Sequence, residues 1–142
     1  LKAPRVLDLL GGTGIIAAEL ASAFKNIDIL DGSAKMLLVA KRKSALHDSK
    51  FILGDITSYD LDQNSYDVIV CSKELHYYSE ITLRTILRKL EISLRSSGIF
   101  FVIGRMNQKV LEEYFTKIEG GAFTPSGENK SPLPYIIVKS KK

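Results

Sequence analysis

Along the chain, short apolar runs alternate with longer segments in which apolar residues recur every three or four positions, the pattern of strands and amphipathic helices taken in turn. Residues 5–10 read as a strand that breaks into glycines, and residues 14–24 as a small, apolar helix. A second strand follows at residues 27–31. Ser33 is placed to cap a helix over residues 34–43, with Met36, Leu37 and Ala40 facing inward and Lys41, Arg42 and Lys43 at its negative end. Lys50–Leu53 reads as a third strand, and the near-continuous apolar run Tyr66–Cys71 is of the kind buried on both faces of a sheet.

Residues 79–94 place Leu83, Ile86, Leu87, Leu90 and Leu94 at helical spacing, with Arg84, Arg88 and Lys89 on the other side. A fifth strand is expected at residues 98–104, a short helix at 108–117 and a last strand at 135–139. Between these last two lies GGAFTPSGENKSPLP, residues 120–134, with three of the four prolines and three glycines. It reads as a loop or an elaborated hairpin turn, because proline does not serve a central strand. Strands alternating with crossover helices imply a parallel sheet with helices on both faces and a ligand at the carboxyl ends of the strands.

The stretch RVLDLLGGTGIIAAEL lies at such an end and admits two cofactors. As Gly12-x-Gly14-x-x-Ala17 it fits a nicotinamide-dinucleotide loop, and as Asp8-x-x-x-Gly12-x-Gly14 it fits a loop for S-adenosylmethionine. In both, a tight turn brings backbone close to the ligand, where a Cβ would obstruct it. Asp31, seventeen residues after Gly14, suits the ribose of either. Asp8 distinguishes them: a carboxylate inside an apolar strand costs several kcal/mol, on the order of a buried ion, unless it is paired or hydrogen-bonded. A methionine ammonium would use it, a dinucleotide would not, and a purely local role in bonding the glycine loop is the third reading.

Composition narrows the class. The chain has 142 residues, 45% hydrophobic and 25% charged, which is the size and make-up of one globular domain. It has no apolar run long enough to span a membrane and no secretion signal at its start; its first residue, Leu1, suggests a processed or truncated N-terminus. A lone cysteine, Cys71, excludes an intrachain disulfide and a CxxC metal site, which points to a reducing, cytoplasmic setting. Taking away Lys139, Lys141 and Lys142 lowers the net charge from +4 to +1, so the basic balance reads as a solvated tail rather than a nucleic-acid face.

From about residue 4 to 104 the motifs resemble the class I S-adenosylmethionine-dependent methyltransferases. VLDLLGGTG is similar to the family's VLDLGCGTG, with Leu10 standing where the family usually has its first glycine. DILDGSAKML is similar to VDISPEML, and FILGDITSYDLDQNSYDVIVCSKELHYYSE to the stretch that carries GDA, SFD and LHH. LEISLRSSGIFFVIG resembles the segment around KPGG, with Arg95-Ser96-Ser97-Gly98 as the turn before the fifth strand.

The resemblance implies one methyltransferase-like domain over residues 1–142: a Rossmann-like, doubly wound, mostly parallel seven-stranded sheet with helices on both faces, lacking most of the N-terminal lid helices. It implies cofactor contacts from Asp8, Leu10, Gly11, Gly12 and Gly14 in the first loop, from Asp31, Gly32 and Met36 after the second strand, and from Asp55, Ile56 and Cys71. Asp31 would bind the ribose hydroxyls, Asp55 the adenine amino group, and Ile56 would lie beside its ring.

His76, in ELHYYSE, is the candidate general base, with Glu74 and Tyr77 as neighbours in the acceptor pocket and His47 left exposed in a polar loop. The Asn/Asp-Pro-Pro-Tyr/Phe tetrapeptide of base methylation is replaced by Cys71-Ser72-Lys73-Glu74, which argues against a nucleic-acid acceptor. Arg105, Met106 and Asn107 offer no acidic cluster, so no metal is expected.

The expected function is methyl transfer from S-adenosylmethionine to a small molecule, with S-adenosylhomocysteine as product. The alternative is a catalytically weak or inactive methyltransferase-like module serving as a partner subunit, with a partner domain or subunit supplying the lid. A nicotinamide-dependent reductase would need a helix-borne Tyr-x-x-x-Lys, and the spacing occurs only at Tyr135 and Lys139, on a strand.

Overall fold

The computed structural model describes residues 3–72, 75–124 and 130–142. Parallel pairing begins in the most apolar part of the chain: β1 (Arg5–Leu9) lies between β2 (Asn26–Asp31) and β4 (Tyr66–Cys71), with β3 (Lys50–Leu53) outside β2. β5 (Leu94–Ile103) continues the sheet beyond β4; β7 (Leu133–Ser140) and β6 (Phe115–Phe123) close it antiparallel, in the order β3-β2-β1-β4-β5-β7-β6. The sheet is thus seven-stranded, mostly parallel and Rossmann-like.

Two helices cover one face at the β1–β2 side. Ala17 of α1 (Ile15–Leu20) and Leu37 and Ala40 of α2 (Ala34–Lys41) pack with Val6, Ile27 and Ile29. Ser33 caps α2, accepting a hydrogen bond from the Met36 N–H at 3.3 Å, as its sequence position implies. On the other face, α3 (Glu80–Ser93) and α4 (Gln108–Tyr114) bury Leu83, Ile86, Leu87, Leu90, Val110 and Leu111 against Phe100, Val102, Ile136 and Val138.

The carboxyl half of the chain departs from the sequence reading. The helix expected over residues 108–117 stops at Tyr114, and β6 takes up the next nine residues, including the start of the segment read as a loop. β6 exposes every residue after Phe115, so no apolar alternation marks it; its pairing with β7 makes it a strand. Pro134 lies inside β7, a central strand, opposite Ala122, but one residue from the strand's start, where a missing N–H does least harm. The turn expected at residues 95–98 is absorbed into β5, which starts at Leu94 with Ser97 at a φ of 60° and a break in the β4 pairing between Tyr66 and Val68.

The double burial expected of β4 is incomplete: Val70 is buried, but Val68 is only half-buried and, with Ile99, Phe101 and Ile103 of β5 and Ile137 of β7, lines a groove of about 530 Å3 beside Ile16 and Leu20 of α1. The C-terminal lysines are exposed, as expected of a solvated tail, but Lys141 and Lys142 are tied to helix ends. Lys141 Nζ donates to the carbonyls of Glu112 and Glu113 at the end of α4, and Lys142 Nζ to those of Ile92 and Leu94 at the end of α3. Carbonyls left unpaired at a helix end, with its negative dipole, attract such cations.

At the amino ends of the strands, Asp28 accepts hydrogen bonds from the Arg5 guanidinium at 2.7 Å and from the Tyr66 hydroxyl at 2.6 Å. Arg5 also lies 4.8 Å over the Tyr66 ring. Burial, then donation to Asp28, pushes the Tyr66 phenol well above the ordinary tyrosine range. This network fixes the end of the sheet opposite the candidate site.

Candidate cofactor site

The chain leaves β1 through Leu10, whose φ is 56°, a left-handed conformation that costs a leucine roughly 1–2 kcal/mol. The loop is pinned from there on: the Gly11 N–H donates to the Leu30 carbonyl at 3.1 Å and the Gly14 N–H to the Gly11 carbonyl at 3.0 Å. Asp8, fully buried in β1, lies directly under this turn. A Cβ on Gly11 would sit 2.7 Å from Asp8 Oδ2 and 2.7 Å from Ile29 Cγ2.

Gly14, at a φ of 81°, starts α1, and its Cβ would meet Leu46 Cδ1 at 2.7 Å and Ala40 Cβ at 3.1 Å. The sequence reading gives these glycines to close approach of a ligand. At Gly11 and Gly14 the crowding atoms belong to the protein, so these two are needed to seat the loop on Asp8 and on α2.

Asp31, at the end of β2, joins the first loop to the second. Its Oδ1 accepts the Gly12 N–H at 3.1 Å and its Oδ2 the Ser33 N–H at 2.9 Å, while its carbonyl accepts the Gly54 N–H at 3.1 Å. Each carboxylate oxygen has a second lone pair for a hydroxyl donor. Asp55 follows Gly54 and is exposed; its Oδ1 accepts from the Thr57 N–H at 2.9 Å and the Thr57 hydroxyl at 2.7 Å, which holds its carboxyl below the usual aspartate range.

These loops surround a cleft of about 340 Å3 lined by Leu10, Gly32, Leu53, Gly54, Asp55, Ile56 and Tyr78. Four of the expected cofactor residues, Leu10, Gly32, Asp55 and Ile56, therefore meet in one place, with Asp31 and Gly12 bonded to each other beside it. Gly11 and Gly14 shape the loop from behind, and Asp8 underlies it. Met36, in the first turn of α2, and Cys71, fully buried at the end of β4 beside Leu9, do not line the cleft.

Tyr78 is the lining residue that the sequence reading missed. It follows the 3-10 turn Leu75–Tyr77, which turns Tyr78 onto the core while Tyr77 stays 80% exposed. Burial, then the negative charge of Asp55, raises the Tyr78 phenol above its ordinary range. Its signal was the second tyrosine of LHYY, half-hidden by the first.

His76 is half-buried in the same turn, its ring centroid 4.2 Å from that of Tyr77. Glu74 lies outside the described residues. A second cleft, about 320 Å3, opens at the carboxyl end of β5 between Gly104, Arg105, Met106, Gln108, Pro134, Tyr135 and Ile136. Among the described residues no group of three or more His, Cys, Asp or Glu side chains is placed to hold a metal ion, and no helix is long and apolar enough to cross a membrane.

The first cleft fits the adenosyl part of S-adenosylmethionine. Its volume lies in the range of small-ligand sites, its walls are apolar at Leu10 and Ile56, and carboxylates stand at or beside it where hydroxyl and amino donors need acceptors.

Comparison with known proteins agrees. A family model described as a methyltransferase domain matches residues 6–98. The carboxy-S-adenosyl-L-methionine synthase of Nautilia profundicola is 29% identical over 113 residues, 77% of this chain and 46% of that protein. The demethylmenaquinone methyltransferase of Thermotoga maritima is 32% identical over 101 residues, 70% of this chain and 42% of that one. The chain thus spans less than half the length of either relative. The N-methyltransferase NodS of Bradyrhizobium japonicum WM9, solved with S-adenosyl-L-homocysteine, superimposes with a TM-score of 0.81 over 99% of this chain and 79% of its own, at 16% identity, a likeness of fold. With the glycine loop over Asp8, the β3-β2-β1-β4-β5-β7-β6 sheet and the family match over most of its length, the chain belongs to the class I S-adenosylmethionine-dependent methyltransferases.

Proposed function

We propose that this domain binds S-adenosylmethionine along the carboxyl ends of β1, β2 and β3 and methylates a small-molecule acceptor, leaving S-adenosylhomocysteine. The observation that carries the reading is the cleft in which Leu10, Gly32, Asp55 and Ile56 converge beside the Asp31–Gly12 hydrogen bond. When bound, S-adenosylmethionine supplies a methyl group activated by its sulfonium.

The protein's part is to hold two reactants in line and to exclude water, since no covalent nucleophile is needed. Asp31 accepts the ribose hydroxyls and Asp55 the adenine amino group, while Ile56 and Gly32 flank the ring. The loop over Asp8 carries the amino-acid end, with Gly11, Gly12 and Gly14 setting its path. His76, on the turn after β4, takes the proton where the acceptor carries one. The acceptor enters by the cleft at Arg105 and Tyr135. The relatives' names, which concern carboxy-S-adenosyl-L-methionine and demethylmenaquinone, support a small acceptor rather than a nucleic acid. A cytoplasmic setting follows from the same reading.

The half-exposed apolar face of β4, β5 and β7 favours a second reading, a methyltransferase-like module that meets a partner domain or subunit. Calorimetric titration with S-adenosylhomocysteine separates the two. Binding with a normal heat supports the enzyme; no heat and no thermal stabilisation at millimolar ligand leaves only the module.

A further inference from the structure

The cleft at the carboxyl end of β5 is built around a single cation. Of its described lining residues Arg105 alone is charged, and the amide of Gln108 and the phenol of Tyr135 are the other polar side chains. Arg5, Arg84 and Arg95 are each paired with a carboxylate: Asp28 at 2.7 Å, Glu113 at 2.9 Å and Asp67 at 2.7 Å. Arg105 is exposed and makes no ion pair among the described residues. Arg42 and Arg88, exposed as well, line neither cleft.

The backbone that carries Arg105 is fixed on both sides. Gly104, buried and at a φ of 110° that favours glycine, donates its N–H to the Pro134 carbonyl at 2.8 Å and so ties the end of β5 to the start of β7. Two residues beyond Arg105, the Asn107 side chain caps α4 by accepting the Val110 N–H at 3.2 Å. Tyr135 is set as well: its ring stacks on Phe101 with the planes 3° apart, and its hydroxyl donates to Glu119 Oε1 at 3.3 Å. A guanidinium on a backbone held in place loses less freedom on pairing with an oxyanion than one on a loose loop.

The cleft also lies at a useful distance from the first one. Adjacent strands are about 4.8 Å apart, so the end of β5 stands about 10 Å from that of β1, with β4 and the turn that carries His76 between them. Two small reactants laid side by side span that gap.

We propose that the methyl acceptor is an organic anion and that Arg105 selects it, its forked guanidinium pairing with a carboxylate or phosphate group while the rest of the acceptor lies against Tyr135. This rests on the reading of this cleft as the acceptor's entrance. A neutral acceptor would leave the cation unpaired, and a positively charged one would be repelled by it.

The test titrates benzoate, phenyl phosphate and neutral benzamide into the domain loaded with S-adenosylhomocysteine, followed by NMR chemical shifts, for wild type, Arg105→Gln, Arg105→Lys and Arg88→Gln. Wild type should bind at least one of the anions about tenfold more tightly than benzamide, the size of a hydrogen bond to a charged group, and the tighter of the two names the acceptor's anionic group. Arg105→Gln should erase the preference while its affinities for benzamide and S-adenosylhomocysteine stay within about twofold of wild type, and Arg105→Lys, which keeps the charge without the fork, should retain part of it. Arg88→Gln should behave as wild type.

Anions and benzamide bound alike, no binding of any of the three, a preference that survives Arg105→Gln, or shifts centred away from Gly104 and Ile136 would each overturn the proposal. Failure of the wild-type domain to bind S-adenosylhomocysteine is a separate result: it overturns the methyl-transfer reading and the acceptor role with it, even where Arg105 still selects anions.

Discussion

The backbone N–H of Gly12 donates to Oδ1 of Asp31 across 3.1 Å, so one carboxylate at the end of β2 holds the loop that leaves β1. The same side chain accepts the Ser33 N–H on its other oxygen, which ties the start of α2 to the same point. Asp31 is therefore part of the frame beside the cleft, and in the proposed function it is the carboxylate that takes the ribose hydroxyls.

Removing it should weaken S-adenosylhomocysteine by about 1.5–3 kcal/mol, the size expected for hydrogen bonds to a charged group. Asp31→Asn, which retains one acceptor oxygen, should lose less than Asp31→Ala. Isothermal titration of both variants checks the order; equal affinity in Asp31→Ala and wild type would place the ribose elsewhere.

Gly11→Ala should destabilise the fold by about 1–3 kcal/mol, as overpacking does. The added methyl would press on Asp8 Oδ2 and Ile29 Cγ2, both 2.7 Å away and both on strands paired on two sides. Urea unfolding measures the loss. A variant as stable as wild type would mean that the loop does not sit down on Asp8.

Phe100 and Phe101 are adjacent on β5 and face opposite ways. Phe100 is fully buried under α3 and α4 with its ring 5.7 Å from that of Phe115, whereas Phe101 is half-exposed and stacks on Tyr135 at 5.8 Å. Phe100→Ala should cost about 3–5 kcal/mol and Phe101→Ala less than about half of that. Equal losses in the isolated domain would show that the groove face is covered in solution.

Tyr66 makes stability depend on alkaline pH. Its phenol is raised in the folded state by burial and by its hydrogen bond to Asp28, so its contribution is complete below the ordinary tyrosine value of about 10 and is lost as pH rises beyond it. Tyr66→Phe should be less stable near neutrality by about 1 kcal/mol, for the hydrogen bond lost, yet fall less steeply above pH 10. Chemical unfolding across pH 8 to about 10.5 gives both slopes; parallel slopes would exclude Tyr66 as the titrating group.

The parallel half of the fold was legible because each strand from β1 to β4 carries its own apolar run and each helix its own spacing. Asp8, Asp31 and Asp55 could likewise be picked out from the sequence, since each follows or interrupts an apolar strand where an acidic residue has no packing use. The antiparallel end was harder to read. Phe115–Phe123 contains two glycines and mostly exposed side chains, so its strand character comes from the hydrogen bonds of β7 and from nothing local. Tyr78 was missed for a similar reason, since only the 3-10 turn decides which of two successive tyrosines points inward.

What the sequence determined by itself is the alternation that builds a doubly wound sheet and the acidic residues at its strand ends, because strand and helix periods and the expense of burying a carboxylate act locally. Only the tertiary structure decided that Leu10 holds a glycine's conformation, that Gly14 faces Leu46 and Ala40, that one face of β4, β5 and β7 lies half-open, and that Lys141 and Lys142 close two helix ends. Each of these depends on atoms distant in the chain brought within a few ångströms, and no window of sequence contains both partners.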